Sequence, residues 1–393
     1  MSATGVRLPE AVRTGPLLAA LFLVGFNLRA TMASVPPLLR QIETTLGIGG
    51  FAAGLLTSLP VLCMGLLAPL AHRLAQRIGR AAAITGALAM LTLGLLLRLG
   101  GASAALLYGG TLLAGAGIAV VGTVLPGVVK EHFPGRAGMA TAAYGSAMAL
   151  GATMAAGISV PVADAFGSWQ PALAVWALPA LAALVGWAAV GMRGNERAPG
   201  TTAGLRLPWR SRTAWLLSAY LAVQSALFYS SLTWVAPSYV ARGWSPAAAG
   251  VLLSVFMATQ VLSTLAPAAA DRFSDRRPLF LLAAGCGLAS LAALVFAPGL
   301  LPYVLVAVLG FGQGAAFALG LVLLVDYAPD PQDSGRLSAM AFLLSYATAA
   351  FGPAAIGALR DATGGFRTPF LVLLALNLVQ LGLATRLSPD RRI

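Results

Sequence analysis

Long apolar runs separated by short polar joints fill almost the whole chain, and twelve of them are long enough to be helices crossing a bilayer. A hydrocarbon core of ~30 Å takes about 20 helical residues at 1.5 Å each. The runs fall near 16–38, 50–71, 81–99, 104–129, 137–161, 170–191, 213–236, 246–269, 279–297, 300–325, 336–359 and 368–386. Joints such as Ala297-Pro298-Gly299 are tight enough to force antiparallel neighbours. The pattern predicts an all-α membrane protein with twelve transmembrane helices. The first run, behind Arg7 and Arg13, is too long for the apolar region of a signal peptide and no small-residue cleavage site follows it. It is expected to stay as the first helix.

Composition agrees with the pattern: 59% of residues are hydrophobic and 9% are charged, against roughly 25% charged in a soluble globular protein. The 45 Gly and 24 Pro lie inside apolar runs, where they read as close helix packing and kinks rather than disorder. A formal charge of +13 raises the question of nucleic acid. The arginines neither share one face nor interleave with exposed aromatics, so no nucleic-acid partner is expected. Cys63 and Cys286 lie in apolar runs without metal or thiol spacing. No clustered nucleophile, metal-ligand set or pair of acids is present, so neither an enzyme nor a cofactor or metal site is expected.

The positions of the cations set the orientation. With the N-terminus inside, 19 of the 25 Lys and Arg fall on cytoplasmic segments and five, Arg40, Arg98, Arg242, Arg360 and Arg367, fall opposite. Cytoplasmic loops are enriched in Lys and Arg, so both termini are expected in the cytoplasm of a bacterial cell, with the chain in its inner membrane. The remaining cation, Arg29, belongs to neither side.

One offset recurs along the chain. Gln76-Arg77 and Asp271-Arg272 stand 195 residues apart, as do Gly115-x-Gly117 and Gly310-x-Gly312, and Glu131-His132-Phe133-Pro134 answers Asp326-Tyr327-Ala328-Pro329. A duplicated six-helix unit is the natural reading, and such repeats place a solute site between the halves near the midplane. The division expected is a first bundle over 1–191, a basic linker over 192–212 and a second bundle over 213–393.

Helix count, basic middle loop and the loop motif His72-Arg73-Leu74-Ala75-Gln76-Arg77-Ile78-Gly79-Arg80 together resemble the major facilitator superfamily. The first copy of that motif has Gln76 at its acidic position; the second, Ala270-Asp271-Arg272-Phe273-Ser274-Asp275-Arg276-Arg277, keeps the acid. The resemblance implies two pseudo-symmetric six-helix bundles and a conformational latch involving Arg77, Asp271 and Arg272. Asn27-Leu28-Arg29, Leu56-Thr57-Ser58-Leu59-Pro60, Gln224-Ser225-x-x-Phe228-Tyr229 with Trp234 and Pro237, and Gly352-Pro353 through Asp361-Ala362-Thr363-Gly364 look like the cyanate and nitroimidazole transporter subfamily. Gly122-Thr123-Val124-Leu125-Pro126 departs from the Asn expected before the Leu-Pro step. A fold carries many substrates, so the solute does not follow from the likeness.

Arg29 lies ~20 Å along the first helix, near the bilayer centre. A central arginine costs at least ~2.5–3.5 kcal/mol on insertion scales. Its planar fork of donors suits a solute anion or a nitro or carbonyl group; the alternative is a structural arginine held by helix carbonyls. No Asp or Glu lies mid-helix to pair with it. Asn27 is about 200° away around the helix, sharing a face with Thr31 and Ser34, so geometry favours helix packing and the resemblance favours solute. In the seventh span Gln224, Phe228 and Ser231 form one stripe and Ser225, Tyr229 and Thr233 the next, a polar and aromatic face fit for a flat solute. Trp234 stands near the outer end, as an interfacial anchor or an outer gate. Thr57, Ser58, Tyr144, Gln260, Gln313, Ser345 and Tyr346 are single polar groups that either line the cavity or bond neighbouring helices. Tyr144 and Gln313 lie on the fifth and tenth spans, which line the cavity in the family.

The expected function is a secondary-active or facilitative carrier, a monomer in the bilayer, taking a small anion or nitro-substituted solute by alternating access. His72 and His132 are loop residues and no carboxylate sits at mid-membrane, so transport driven by the solute gradient or by anion exchange is expected. Proton symport and a drug or metabolite exporter of the same superfamily are the alternatives.

Overall fold

A computed structural model of the protein describes residues 10–100, 103–133, 136–190, 207–263, 266, 273, 275–388 and 393. Among them every regular element is helical. The first part of the chain holds α1 (Glu10–Ala33), α2 (Leu39–Leu46), α3 (Gly50–Leu66), α4 (Ala68–Ile78), α5 (Arg80–Leu97), α6 (Ala104–His132), α7 (Ala137–Phe166), α8 (Trp169–Ala174) and α9 (Ala177–Ala189). The second holds α10 (Arg212–Val240), α11 (Pro246–Ser263), α12 (Arg277–Phe296), α13 (Pro302–Asp326), α14 (Pro331–Ala349), α15 (Phe351–Thr363) and α16 (Arg367–Ala384).

Among the described residues the apolar runs fall on helices, some of them broken into pairs. Pro36 and Pro37 turn the chain between α1 and α2, and Pro69 opens α4 after a 57° bend from α3. Pro lacks the donor that would continue the preceding helix but fits a first turn. Among the described residues ten helices are long and apolar enough to cross a membrane, or eleven with the bent pair α3–α4 counted as one. The helix outside that set is α10. It is 29 residues long, yet Gln224 and its many Ser, Thr and Tyr dilute its hydropathy. Its residues from Leu227 through Tyr239 are all buried, so it shows little of itself to lipid.

The two parts of the chain pack in the same manner. Gly115 leaves room for Pro60 of α3, and Gly310 for Phe256 and Thr259 of α11. Gly117 meets Ala87 and Leu91 of α5, whereas Gly312 meets Ala283 and Cys286 of α12. Small residues let helix backbones approach where lipid gives no hydrophobic reason to associate. Across the middle of the molecule α3 packs on α15 and α14, and α7 on α11.

At the arginine-poor end, Arg98 and Arg242 each hold helix ends. Arg98 is fully buried and donates to the Thr31 carbonyl at 3.4 Å near the end of α1. Arg242 donates to the carbonyls of Ser238 (3.1 Å) and Leu294 (3.3 Å) near the ends of α10 and α12. The last carbonyls of a helix lack partners and carry partial negative charge, which a cation relieves.

Candidate functional site

The centre of the molecule is organised around Arg29. Its Nη1 donates to Oε1 of Gln260 at 2.9 Å, from α1 across to α11. The guanidinium carbon stands 5.2 Å from the centroid of the Phe228 ring, within the range of a cation–π contact. Among the described residues no carboxylate forms an ion pair with it. Arg29 is half-buried in the protein interior and bonds one side chain, Gln260, among the described residues, which leaves most of its five donors for something else.

Aromatic side chains line the space beside it. Phe228 stacks on Phe256 of α11 (centroids 5.9 Å apart) and meets Tyr229 edge-on at 5.0 Å. Tyr229 faces Tyr346 of α14 at 6.5 Å, and Tyr346 stacks on Phe342. Two thioethers complete the group: Met64 of α3 lies 4.0 Å from the Tyr229 hydroxyl, and Met257 lies 3.7 Å from Nε2 of Gln260. Helices from both parts of the chain thus meet at one cation, with flat, polarisable walls. Such a site can hold a planar anion by charge and by its faces.

The other expected residues divide into those near this group and those packed away from it. Gly25, one turn before Arg29 on the same stripe of α1, is closed upon by the backbone of Tyr144 of α7. Asn27 is fully buried on the opposite side of α1 and donates to the carbonyls of Leu23 (2.7 Å) and Pro179 (3.0 Å) in the α1–α9 contact. Gln224 donates to the Gln313 carbonyl at 2.9 Å, and Ser225 bonds Ser345 at 2.9 Å, so this polar stripe of α10 ties it to α13 and α14. The side chain of Gln313 is buried, with an Oε1 that has no partner. Thr57 and Ser58 are buried too, each with an unpartnered hydroxyl.

Trp234 belongs to a second group, at the arginine-poor end. Its indole donates to the Pro353 carbonyl at 2.7 Å, and Arg360 lies over its face at 4.9 Å. Arg360 bridges to Glu43 of α2 at 2.8 Å and to Asp361, whose other oxygen accepts from the backbone of Gly50. These contacts join α2 and α3 to α15. At the arginine-rich end Arg77 is exposed on α4, whereas Asp271 and Arg272 lie outside the described residues. Nearby, Arg80 pairs with Glu131 and Arg276 with Asp326. Hydrogen bonds from the Arg277 side chain and backbone hold the Asp275 carboxyl below its usual range.

Sequence reasoning put Gln260 only among loose polar groups and did not single out Phe256, Phe342, Met64, Met257 or the Glu43–Arg360 pair. A signal was present: Phe256 and Gln260, and Phe342 and Tyr346, are i, i+4 pairs that put a ring and a polar group on one stripe.

A family model described as Major Facilitator Superfamily matches residues 17–241 and 220–392. The chain is 33% identical to the "Uncharacterized transporter YycB" of Bacillus subtilis (strain 168), over 96% of this chain and 94% of that protein. It is 31% identical to the "Cyanate transport protein CynX" of Escherichia coli (strain K12), over 89% and 91% of the two chains. It is likewise 31% identical to the "2-nitroimidazole transporter" of the same organism, over 92% and 93%. The fold is similar to the crystal structure of a bacterial homolog of the human lysosomal transporter Spinster, in its inward-facing and unoccupied conformation (TM-score 0.78, 14% identity, 96% and 97% covered). The family and these relatives are transporters, not enzymes.

Proposed function

This chain belongs to the Major Facilitator Superfamily, and on that premise we propose that it carries a small anion or nitro-substituted solute across a bacterial inner membrane, held at Arg29. The observation that carries the proposal is a guanidinium in the interior of the helix assembly whose partners, among the described residues, are a neutral amide and a ring. An intramembrane charge is costly, and a solute that brings the opposite charge removes the cost. Two relatives whose names specify cyanate and 2-nitroimidazole support a small, flat, electron-rich solute.

The working site comprises Arg29, Gln260, Phe228, Tyr229, Tyr346 and Tyr144, with Trp234 in the closure at the arginine-poor end. Asn27 and Gln224 tie helices together around it, and Gln313 and Thr57, each buried with an unpartnered polar atom, stay among the groups offered to solute. The twelve spans proposed are the eleven recognised by length and hydropathy plus α10. They form bundles over 1–191 and 213–393 joined by 192–212, working as a monomer with both termini cytoplasmic and the arginine-poor end outside. The halves then exchange access to Arg29 by opening one end as the other closes, with Arg77, Asp271 and Arg272 in the cytoplasmic latch.

The test is a thermal-shift screen of the purified protein against cyanate, nitrate, small carboxylates and nitroimidazoles, repeated on Arg29→Ala and Arg29→Lys. A true ligand at 100 times its Kd stabilises the folded state by about 2.7 kcal/mol. The expected result is a shift with wild type, none with Arg29→Ala, and a reduced one with Arg29→Lys, which lacks the fork. A shift of equal size in Arg29→Ala removes Arg29 from the site.

A further inference from the structure

We propose that Gln260 sets the charge preference of this site: it holds Arg29 in place without neutralising it, so that the site takes singly charged anions in preference to neutral analogues of the same shape. The inference rests on the Arg29 site proposed above and adds the residue that decides which charge enters.

The geometry has three parts. Gln260 is the only side chain hydrogen-bonded to Arg29 among the described residues, at 2.9 Å. The bond is made by the amide oxygen, while the amide nitrogen turns to the soft Met257 sulfur at 3.7 Å. Nothing in this arrangement carries a negative charge. Gln260 is also buried and lies one turn beyond Phe256, whose ring backs Phe228 under the guanidinium, so it is fixed from both sides.

Charge bookkeeping follows from those parts. A carboxylate at this position would form an ion pair with Arg29, the usual way of burying a charge. The site would then be neutral and an entering anion would meet a fixed negative charge within a few ångström. An amide of the same shape orients the guanidinium and leaves its charge in full. A solute anion presents a charge-assisted acceptor, roughly twice as strong as the neutral amide, so it can take over the fork. A neutral solute, a nitro compound included, offers only another neutral acceptor in exchange for Gln260 and gains less. A solute with two charges leaves one unpaired among Phe228, Tyr229, Tyr346 and Met64.

A second consequence concerns motion. Arg29 and Gln260 stand on helices from the two parts of the chain, so their bond ties those parts together across the solute space. A solute that draws Arg29 to itself loosens the tie as it binds.

The experiment compares Gln260→Glu with Gln260→Met, measuring nitrate and benzoate binding to the purified proteins by thermal shift, with benzamide and phthalate as the neutral and doubly charged controls. Wild type is expected to bind benzoate at least about tenfold more tightly than benzamide or phthalate. Gln260→Glu should bind the anions about 100-fold more weakly, the size of a close like-charge interaction in a partly screened interior. Gln260→Met, similar in volume and uncharged, loses the bond to Arg29 and should bind the anions up to about tenfold more weakly than wild type, keeping the preference for benzoate over benzamide. Equal losses in the two variants, or wild-type affinity in Gln260→Glu, overturn the proposal. So does equal binding of benzamide and benzoate by wild type. If Gln260→Glu yields no folded protein, equal binding of the two by wild type or Gln260→Met overturns the proposal, and a preference for benzoate in both upholds it. Failure of wild type to bind either anion, with folding intact, overturns the Arg29 site itself and this inference with it.

Discussion

At the scale of residues, two neighbours on α1 show how differently the same helix uses its polar side chains. Arg29 faces the interior group of rings, and Asn27, two positions earlier, is buried against Pro179 of α9. The ~200° between them makes these roles exclusive. Asn27→Ala removes two side-chain hydrogen bonds, one to Leu23 within α1 and one to Pro179 of α9, each worth about 0.5–1.5 kcal/mol. It is expected to lower thermal stability by about 1–2 kcal/mol while leaving nitrate or benzoate affinity within about twofold. Melting and ligand titration on one preparation check both, and a loss of affinity larger than the loss of stability would return Asn27 to the solute site.

At the scale of elements, α7 shows why some glycines are needed and others are free. The three glycines Gly145, Gly151 and Gly157 recur every six residues. A side chain at 151 would strike the Phe26 backbone of α1, and one at 157 would meet Ser254 of α11. At 145 it would meet nothing. Gly151→Val is expected to separate α1 from α7 and to abolish monodisperse protein in size-exclusion chromatography, whereas Gly145→Val keeps wild-type yield. Equal behaviour of the two would show that the α1–α7 crossing does not depend on its small residue. The element hardest to recognise by hydropathy, α10, is the most deeply placed, because a helix surrounded by protein can hold Ser, Thr, Tyr and Gln against neighbouring backbones.

At the scale of the whole molecule, the two parts of the chain are closed together at the arginine-poor end by Glu43–Arg360 and by Asp361 on the Gly50 backbone. Arg360 also covers Trp234, so charge pairing and ring packing act on one side chain. A carrier that exposes Arg29 alternately to the two sides must break these contacts in every cycle. Gly49 and Asp361 lie close enough that a side chain at 49 would touch the Asp361 carboxylate. Gly49→Cys combined with Asp361→Cys, joined by a short bifunctional thiol reagent, is expected to stop solute uptake in vesicles while leaving binding to Arg29 from the other side intact. Each single variant treated with the same reagent serves as the control. Uptake that survives cross-linking would mean that this end does not open during transport.

The sequence by itself determined that the chain is a succession of apolar helices, that several of its motifs recur at one fixed offset, and that Arg29 stands apart from the loop cations. These are readable because a bilayer demands about 20 apolar residues per crossing and penalises any charge among them, so each signal lies within one segment or one repeat. Only the tertiary structure decided that Arg29 looks to Gln260 and Phe228, that Gln224 bonds α13, and that Glu43 meets Arg360 from more than 300 positions away. Helical periodicity tells which residues share a stripe but not which stripe faces the interior. In a soluble protein hydrophobicity would answer that question, whereas in a membrane the lipid is as apolar as the packed core and the distinction vanishes from the sequence.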